Sequence, residues 1–292
     1  MLLKVDTMKR QDFRFSHRMR VRWVEVDMQK IVFNGHYLMY FDTAVTDYWR
    51  SLAMPYAEAM HQLGGDLFVK KASVEYHASA EMDDFLEVCL RCDRVGNSSM
   101  TFMGAIFRGN ELLITSELVY VYADPVAKKS QPVPSALRDM LESFERGEDM
   151  VQVHVGAWHD FKNLAGPLRT EVFVHEQKVP AEMEWDHDDE TALHAVALNR
   201  MGMALATGRL LQHAPGVARI GRMAVKKQMR GSDLGQRVLH ALMNAARDRG
   251  DTQVLLHAQC SAEGFYRRSG FAPHGAIFEE AGIAHIEMVR QL

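Results

Sequence analysis

The sequence predicts an α+β fold built from two domains of similar size. The chain has 292 residues, whereas a single domain usually contains about 100 to 200. A strand, a long apolar helix and four strand-like runs fill the first half, the pattern of an antiparallel sheet wrapped around one helix. The second half contains a strand, a glycine loop and a helix in direct succession, which predicts an α/β unit with a mixed sheet. We place the two domains at residues 1–148 and 149–292.

The elements of the first half follow from the spacing of its apolar residues. Alternation from about Phe15 to Val26 predicts the first strand. From His36 to Ala53, apolar residues recur at spacings of three and four, which predicts a helix with a wide buried face. Four strand-like runs follow, separated by Gly-Asn and Asp-Asp turns. A short helix that begins near Pro134 closes the domain.

The second half alternates strands with helices. A strand at residues 150–158 is followed by a helix from about Asn163 to Glu176. Three strands in series come next, and the third runs through a glycine-containing loop into a helix at residues 234–250. A buried strand, a short helix and two final strands complete the chain.

Composition and charge exclude several classes of function. Lys and Arg number 34 against 38 Asp and Glu, and neither half is basic, so no nucleic-acid partner is expected. The cysteines Cys89, Cys92 and Cys260 are too few and odd in number for a disulfide framework, which favours the cytoplasm. Cys89 and Cys92 lie in a strand-like run without a second ligand pair, so no metal site is expected. The N-terminus lacks a signal-peptide core, and no apolar run is long enough to span a membrane.

Asp27 stands between the first predicted strand and the N-terminus of the long helix. Helix N-termini present unpaired backbone N–H groups and a partial positive charge, which stabilise a developing oxyanion. A thioester carbonyl suits such a carboxylate and its neighbouring amides. The alternative, from spacing alone, is that Asp27 caps a turn and Asn34 caps the helix.

The segment VRWVEVDMQKIVFNGHYLMYFDTA, which contains Asp27, resembles the signature of hotdog-fold acyl-CoA thioesterases of the 4-hydroxybenzoyl-CoA thioesterase type. The resemblance covers about residues 14–145 and implies that Asp27 is the catalytic nucleophile or general base. It also implies an acyl-CoA substrate and a homo-oligomer formed through this domain. The thioester oxygen would contact the backbone of Asn34, Gly35, His36 and Tyr37. Lys30 stands where the family commonly has glycine, a difference that affects the loop or the CoA phosphates.

Other residues near Asp27 have two interpretations each. Three polar residues are candidate partners in the pocket or simply structural: His36, Glu58 and His61. Four aromatic residues can line an acyl pocket or belong to the core: Trp23, Phe33, Tyr40 and Phe68.

A second group of candidate residues lies in the C-terminal half. The loop at residues 230–235 joins a strand to a helix, where backbone N–H groups can bind phosphate. The segment FYRRSGF places Tyr266 on a short helix, where a phenol can protonate a thiolate leaving group. An ordinary buried aromatic is the alternative for Tyr266.

Together these segments resemble the GNAT N-acetyltransferase superfamily, and the runs FVHEQ, AQCSAEGFYRRSGF and FEEAGIAHIEM are similar to its ElaA-like branch. The resemblance implies acetyl-CoA as substrate, an amine as acceptor, and Tyr266 as the acid that protonates departing CoA. The acetyl and pantetheine groups would bind the backbone of Met223, Ala224 and Val225. The pyrophosphate would bind the loop formed by Arg230, Gly231, Ser232, Asp233, Leu234 and Gly235. Asp233 stands where the motif has a glycine, and its charge would weaken CoA binding unless it turns outward or Arg230 neutralises it.

The sequence leaves open which residue deprotonates the amine. Any polar group near the acceptor can do so, directly or through water. The candidates are Glu176, Glu184, Asp186, Asp188, His257, Glu280 and His285. A solvated acidic face is the alternative for each, although the acidic segment at residues 182–190 can also attract a cationic amine.

The sequence therefore predicts a bifunctional enzyme that hydrolyses acyl-CoA and transfers acetyl groups from acetyl-CoA to an amine, without a tightly bound cofactor. The alternative is a CoA-binding sensor or scaffold in which one or both domains are inactive, an interpretation motivated by Lys30 and Asp233. A hotdog dehydratase is a further alternative, but the segment around Asp27 fits a thioesterase better.

Overall fold

Residues 8–292 are described by the computed structural model of the chain. The first seven residues lie outside this range; they belong to the predicted N-terminal domain and to the segment that lacks a signal-peptide core. The chain divides between Met150 and Val151 into two units. No helix within the described range is both long and apolar enough to cross a membrane.

The N-terminal unit wraps an antiparallel sheet around one long helix. Its strands are β1 (Phe15–Arg20), β2 (Asp66–Tyr76), β3 (Phe85–Val95), β4 (Ser99–Arg108), β5 (Glu111–Asp124) and β6 (Lys129–Ser130). They are ordered β1-β3-β4-β5-β2, and β6 pairs with β5. The helices are α1 (His36–Ser51), α2 (Tyr56–Leu63) and α3 (Ser135–Glu145). This arrangement confirms the predicted fold class of the first half.

Helix α1 forms the centre of this unit because its apolar stripe faces the sheet. Tyr48 packs edge-on against Phe15 and Phe102, with ring centroids 5.4 Å apart in both pairs. At Gly104 in β4, an added Cβ would lie 2.5 Å from the ring of Phe41. The strand therefore approaches the helix this closely only because residue 104 has no side chain.

The connection between β1 and α1 differs from the prediction. Strand β1 ends at Arg20, and residues 23–25 form a short 3₁₀ helix instead of continuing the strand. The chain turns here because the backbone N–H of Arg22 donates a 2.7 Å hydrogen bond to the Glu25 carboxylate. Asp27 therefore lies in a loop and does not end a strand.

The C-terminal unit is built on one mixed sheet. Its strands are β7 (Val151–Ala157), β8 (Leu193–Asn199), β9 (Ala204–Ala214), β10 (Val217–Val225), β11 (Gln253–Gln259), β12 (Ala272–Glu280) and β13 (Ile283–Gln291). Their order is β12-β13-β11-β10-β9-β8-β7, and β10 and β11 are parallel, whereas the other neighbours are antiparallel. The predicted mixed sheet is confirmed.

Four helices accompany this sheet: α4 (Trp158–Arg169), α5 (Ala181–Glu184), α6 (Leu234–Arg249) and α7 (Glu263–Arg268). Helix α4 begins five residues before the predicted start at Asn163, and it continues as a π-helical segment, Thr170–Glu176. Strands β10 and β11 pair only as far as Ile220 and Leu256. Beyond that point they separate, which opens the sheet for a site.

Candidate active sites

The first candidate site is the loop that contains Asp27. This side chain is half-buried, and its Oδ1 accepts a 2.7 Å hydrogen bond from the backbone N–H of Gln29. Its backbone N–H donates to the Ile31 carbonyl at 2.9 Å, and its carbonyl accepts from the N–H of Lys30 at 3.0 Å. Oδ2 makes no hydrogen bond within residues 8–292. One oxygen thus caps the turn, as the simpler interpretation predicts, and the other is available for chemistry.

Lys30 adopts a backbone φ of +66°. This left-handed conformation favours glycine, the residue that resembling thioesterases commonly have at this position. The lysine is exposed, so the loop keeps a glycine-like backbone while the side chain projects into solvent.

The N-terminus of α1 presents free amides beside this loop. Gly35 is the N-cap residue and no side chain caps the helix, so the interpretation of Asn34 as the cap is wrong. The backbone N–H of His36 donates to the Phe33 carbonyl at 2.9 Å and is therefore already engaged. Tyr37 lies in the first helical turn, where backbone N–H groups have no acceptor within the helix. In addition, Nδ1 of His36 is buried and has no hydrogen-bond partner within the described residues.

Glu25 is a site residue that the sequence reasoning missed. It is only 2% exposed, and its carboxylate accepts hydrogen bonds from the Arg22 guanidinium at 2.6 and 2.8 Å and from the Tyr40 hydroxyl at 2.9 Å. Its backbone carbonyl accepts from the N–H of Phe33 at 3.0 Å. Burial alone would raise the pKa of Glu25, but the hydrogen bonds from Arg22 and Tyr40 lower it below its usual value. Glu25 therefore ties both ends of the Asp27 loop to α1.

The remaining candidate residues of the N-terminal unit differ in whether their side chains are buried or exposed. Tyr40 is buried against Tyr37 and belongs to the core instead of lining a pocket. Trp23, Phe33 and Phe68 are exposed. Glu58 and His61 are exposed on α2, a separate helix from the one that begins beside Asp27.

The second candidate site is a cleft of about 620 Å³ in the C-terminal unit. It opens where β10 and β11 separate. Five of the predicted CoA-site residues line it together: Met223, Val225, Arg230, Gly235 and Tyr266. The side chain of Ala224 instead packs against Leu168 and Val172. The fold thus brings the predicted acetyl, pyrophosphate and acid groups to one cleft from three separate elements.

The loop before α6 keeps the backbone of the motif despite its aspartate. Gly231 has a φ of +85°, and Asp233, the N-cap residue of α6, has a φ of +66°. Asp233 is exposed and makes no capping hydrogen bond. Arg230 does not neutralise it, because its guanidinium pairs with Glu176 at 2.6 and 2.7 Å. The hydroxyl of Ser232 donates to the Met229 carbonyl and so braces the loop.

Tyr266 has the environment of a proton donor. It is 8% exposed, with the rings of Phe265 and Phe271 against it at centroid distances of 4.9 and 6.0 Å. Burial raises the pKa of Tyr266 to about 12. The phenol therefore stays protonated at neutral pH.

Part of the acidic segment at residues 182–190 is neutralised from within the protein. Arg169, which is fully buried, donates to Glu184 at 2.5 Å and to Asp189 at 2.8 Å. Arg209 pairs with Asp189 and Asp186. Arginines thus match Glu184, Asp186 and Asp189, whereas Glu182, Asp188 and Glu190 are exposed, so attraction of a cationic amine by this segment stays a prediction.

Ion pairs with arginines also distinguish the candidate bases for the amine from one another. Hydrogen bonds from Arg230 lower the pKa of Glu176, and Asp186 is held by Arg209 and Arg222. Asp188 is exposed outside the cleft. Glu184 borders the cleft, and burial raises its pKa although Arg169 opposes this.

The other three candidate bases meet at one end of the cleft: His257, Glu280 and His285. Nδ1 of His257 lies 3.3 Å from Oε2 of Glu280 and 3.1 Å from Nη2 of Arg219. Nε2 of His257 lies 3.8 Å from Oε2 of Glu287, its partner in the β11–β13 register. No sequence pattern marks Arg219 and Glu287 as site residues, because only the register of the strands brings them to His257.

Protein-family models match both units. Residues 29–115 match the Thioesterase superfamily, and residues 149–292 match the Acetyltransferase (GNAT) domain. The chain joins a hotdog thioesterase-superfamily domain to a GNAT acetyltransferase domain. The first match begins two residues after Asp27, so the role of Asp27 rests on the local geometry and the motif.

Relatives of the chain correspond to one domain each. The GNAT domain is 34% identical to the uncharacterised N-acetyltransferase YjcF of Bacillus subtilis over 42% of this chain and 87% of the relative. It is 33% identical to the protein ElaA of Escherichia coli over 43% and 84%, which confirms the ElaA-like resemblance. The hotdog domain is 32% identical to an Aquifex aeolicus protein, provisionally named as an esterase, over 32% and 73%.

Within residues 8–292, no group of three His, Cys, Asp or Glu side chains is arranged to hold a metal ion.

Proposed function

We propose that the protein is a bifunctional cytoplasmic enzyme that hydrolyses acyl-CoA in its hotdog domain and acetylates an amine in its GNAT domain. The observation that carries the proposal is the cleft that gathers Met223, Val225, Arg230 and Tyr266. Both families act on CoA thioesters, and the free cysteines suit a reducing compartment. We keep residues 1–148 and 149–292 as the proposed domain limits.

Acetyl transfer requires one proton to leave the amine and one to reach sulfur. We assign the first transfer to His257, which lies at the acceptor end of the cleft beside Glu280. The amine nitrogen then attacks the acetyl carbonyl carbon, the new C–N bond forms and the C–S bond breaks. Tyr266 donates its proton to the departing CoA sulfur and regains one from solvent. The backbone of β10 around Met223 holds the acetyl group.

Thioester hydrolysis uses the free Oδ2 of Asp27. This oxygen attacks the acyl carbon directly or takes a proton from a water that does so; in both routes one water is consumed, and the acid and free CoA are released. The N–H of Tyr37 in the first turn of α1 stabilises the oxyanion. Glu25 and Tyr40 hold the loop in place without touching the substrate.

Assembly through the hotdog domain is the third part of the proposal. Strand β2 lies at the edge of its sheet, and within residues 8–292 it pairs with β5 alone. It exposes Phe68, Val69 and Tyr76, and Val69 is 59% exposed. Lys70, Lys71 and Glu75 are exposed on the same strand, so the case for pairing rests on the long unpaired edge and on these three apolar side chains. A second copy that covers this edge would form the homo-oligomer.

The decisive test measures release of free CoA thiol from a panel of acyl-CoAs, without and with amines. We expect hydrolysis without amine to be lost in Asp27→Asn and kept in Tyr266→Phe. Amine-dependent release of CoA from acetyl-CoA should be kept in Asp27→Asn and lost in Tyr266→Phe. If the wild type releases no CoA under either condition while calorimetry detects CoA binding, the protein is the sensor or scaffold instead.

A further inference from the structure

The arginines of the GNAT cleft differ in whether a carboxylate neutralises them. Three arginines line the cleft: Arg219, Arg222 and Arg230. Arg222 pairs with Asp186 at 3.1 Å, and Arg230 pairs with Glu176 at 2.6 Å. Arg219 has no ion pair within residues 8–292, and the polar contact it makes is with His257 at 3.1 Å. One cation of the cleft is thus left for a ligand.

From this we infer that the amine acceptor is an amino acid with a free α-carboxylate, which Arg219 binds. The inference rests on the proposed acetyl transfer and names its substrate class. A guanidinium presents two parallel N–H donors that match a carboxylate, and the pair is strongest where water is partly excluded. Arg219 is half-buried in the wall of the cleft, which fits this use.

The β10–β11 register sets how far apart the substrate's amine and carboxylate can lie. Arg219 on β10 is in register with Leu255 on β11, and His257 lies two residues further along β11 on the same face. The imidazole that takes the amine's proton therefore touches the guanidinium that binds the carboxylate. An amine and a carboxylate held this close together belong to one small molecule, as they do in an α-amino acid.

Charges around His257 favour a zwitterion over a simple amine. Glu280 lines the cleft and approaches Nδ1 of His257 at 3.3 Å, so an ammonium finds a carboxylate on that side. Arg219 supplies the opposite charge. A polyamine or a lysine side chain would leave Arg219 unpaired and facing another cation, which discriminates against both.

The test compares acetylation of free amino acids with acetylation of their α-carboxamides, which lack the carboxylate charge, and does so across a range of pH because amidation also lowers the pKa of the α-amine. CoA release at fixed acetyl-CoA gives kcat/KM for each acid and carboxamide across the amino-acid panel. We expect the wild type to prefer the free acid by about 10- to 100-fold for the amino acids that it accepts. Arg219→Gln should abolish this preference by lowering the value for the acid alone, and Arg219→Lys should restore part of it.

Arg267→Gln is the control variant. Arg267 is exposed on α7, pairs with Glu263 and does not line the cleft, so its loss should leave the preference unchanged. Equal rates with acids and carboxamides in the wild type, or equal losses for both in Arg219→Gln with wild-type thermal unfolding, would overturn the inference. Failure of the proposed acetyl transfer looks different: no acceptor of any kind would then raise CoA release above the rate without amine, and both proposals would fall.

Discussion

Two residues, Lys30 and Asp233, show how single positions decide whether a motif is intact. Both stand where resembling families have glycine, and both adopt a φ of +66°. Such a backbone costs a non-glycine residue about 1 kcal/mol, and aspartate tolerates it better than most. The loop geometry at each site is therefore kept, and the remaining consequence of each substitution is its charge.

We predict that Asp233→Asn tightens acetyl-CoA binding by about three-fold at low salt, because it removes a negative charge near the pyrophosphate and keeps a residue that tolerates the left-handed backbone. Calorimetric titration of the full chain at low and high salt measures the effect. It should shrink at high salt, where charges are screened. An unchanged Kd at low salt would show that the carboxylate turns away from the bound nucleotide.

The raised pKa of Tyr266 determines how kcat for acetyl transfer should respond to alkaline pH. Burial raises this pKa to about 12, so the protonated form that donates to sulfur is present below that value and is lost only as pH rises through it. We expect kcat for acetyl transfer to stay level from pH 8 to about 10.5. A decline centred near pH 10, the ordinary value for tyrosine, would show that burial does not raise the pKa of Tyr266 in the working enzyme. Tyr266→Phe should lower kcat by about 100-fold or more.

At the scale of elements, the 3₁₀ helix at residues 23–25 and the start of α1 act as one unit. Glu25 joins them through the hydroxyl of Tyr40, and its backbone holds the far end of the loop at Phe33. The sequence motif is enough to identify Asp27. The contacts of Glu25 with Tyr40 and Phe33, which we call the clamp, form only because the turn at residues 23–25 places Glu25 under α1. Its expected role is to position the catalytic loop.

Removing one hydroxyl tests this clamp. Tyr40→Phe leaves Glu25 short of one hydrogen bond and should destabilise the protein by about 1 to 2 kcal/mol in urea unfolding. It should also lower kcat for acyl-CoA hydrolysis with little change in KM, because Asp27 is less well placed. Tyr56→Phe is the matched control, since its hydroxyl donates to Asp66 at 2.5 Å on other elements. Equal loss of hydrolysis in both variants would reduce the clamp to a purely structural feature.

At the scale of the whole molecule, two units that match different families share one chain. Each unit has its own candidate site, so the two proposed activities should be separable by mutation. The exposed edge strand β2 gives a way to separate them, because the oligomer is proposed to form through the hotdog domain and we expect only the hotdog site to depend on the second copy.

Val69→Lys should yield monomers in light scattering, because it removes an exposed apolar side chain from the edge and adds a third lysine beside Lys70 and Lys71. Hydrolysis of acyl-CoA should fall by at least about ten-fold, whereas acetyl transfer should stay within about two-fold of the wild type. Val126→Lys, at a position 90% exposed in the turn between β5 and β6, is the control and should change neither. Full hydrolysis by a monomeric variant would contradict the proposed oligomer.

Local patterns in the sequence determined the element order, the buried stripe of α1, the mixed sheet of the second half and the two motifs. They did so because apolar spacing and glycine loops act over a few residues. Tertiary structure alone decided that Glu25 holds the Asp27 loop, that buried arginines pair with Glu184 and Asp189 of the acidic segment, and that Arg219 reaches His257. These contacts join residues distant in sequence through helix packing and strand register, which no local pattern encodes. Which charged side chains of the cleft are paired, and which are free for a ligand, is therefore decided by the folded sheet.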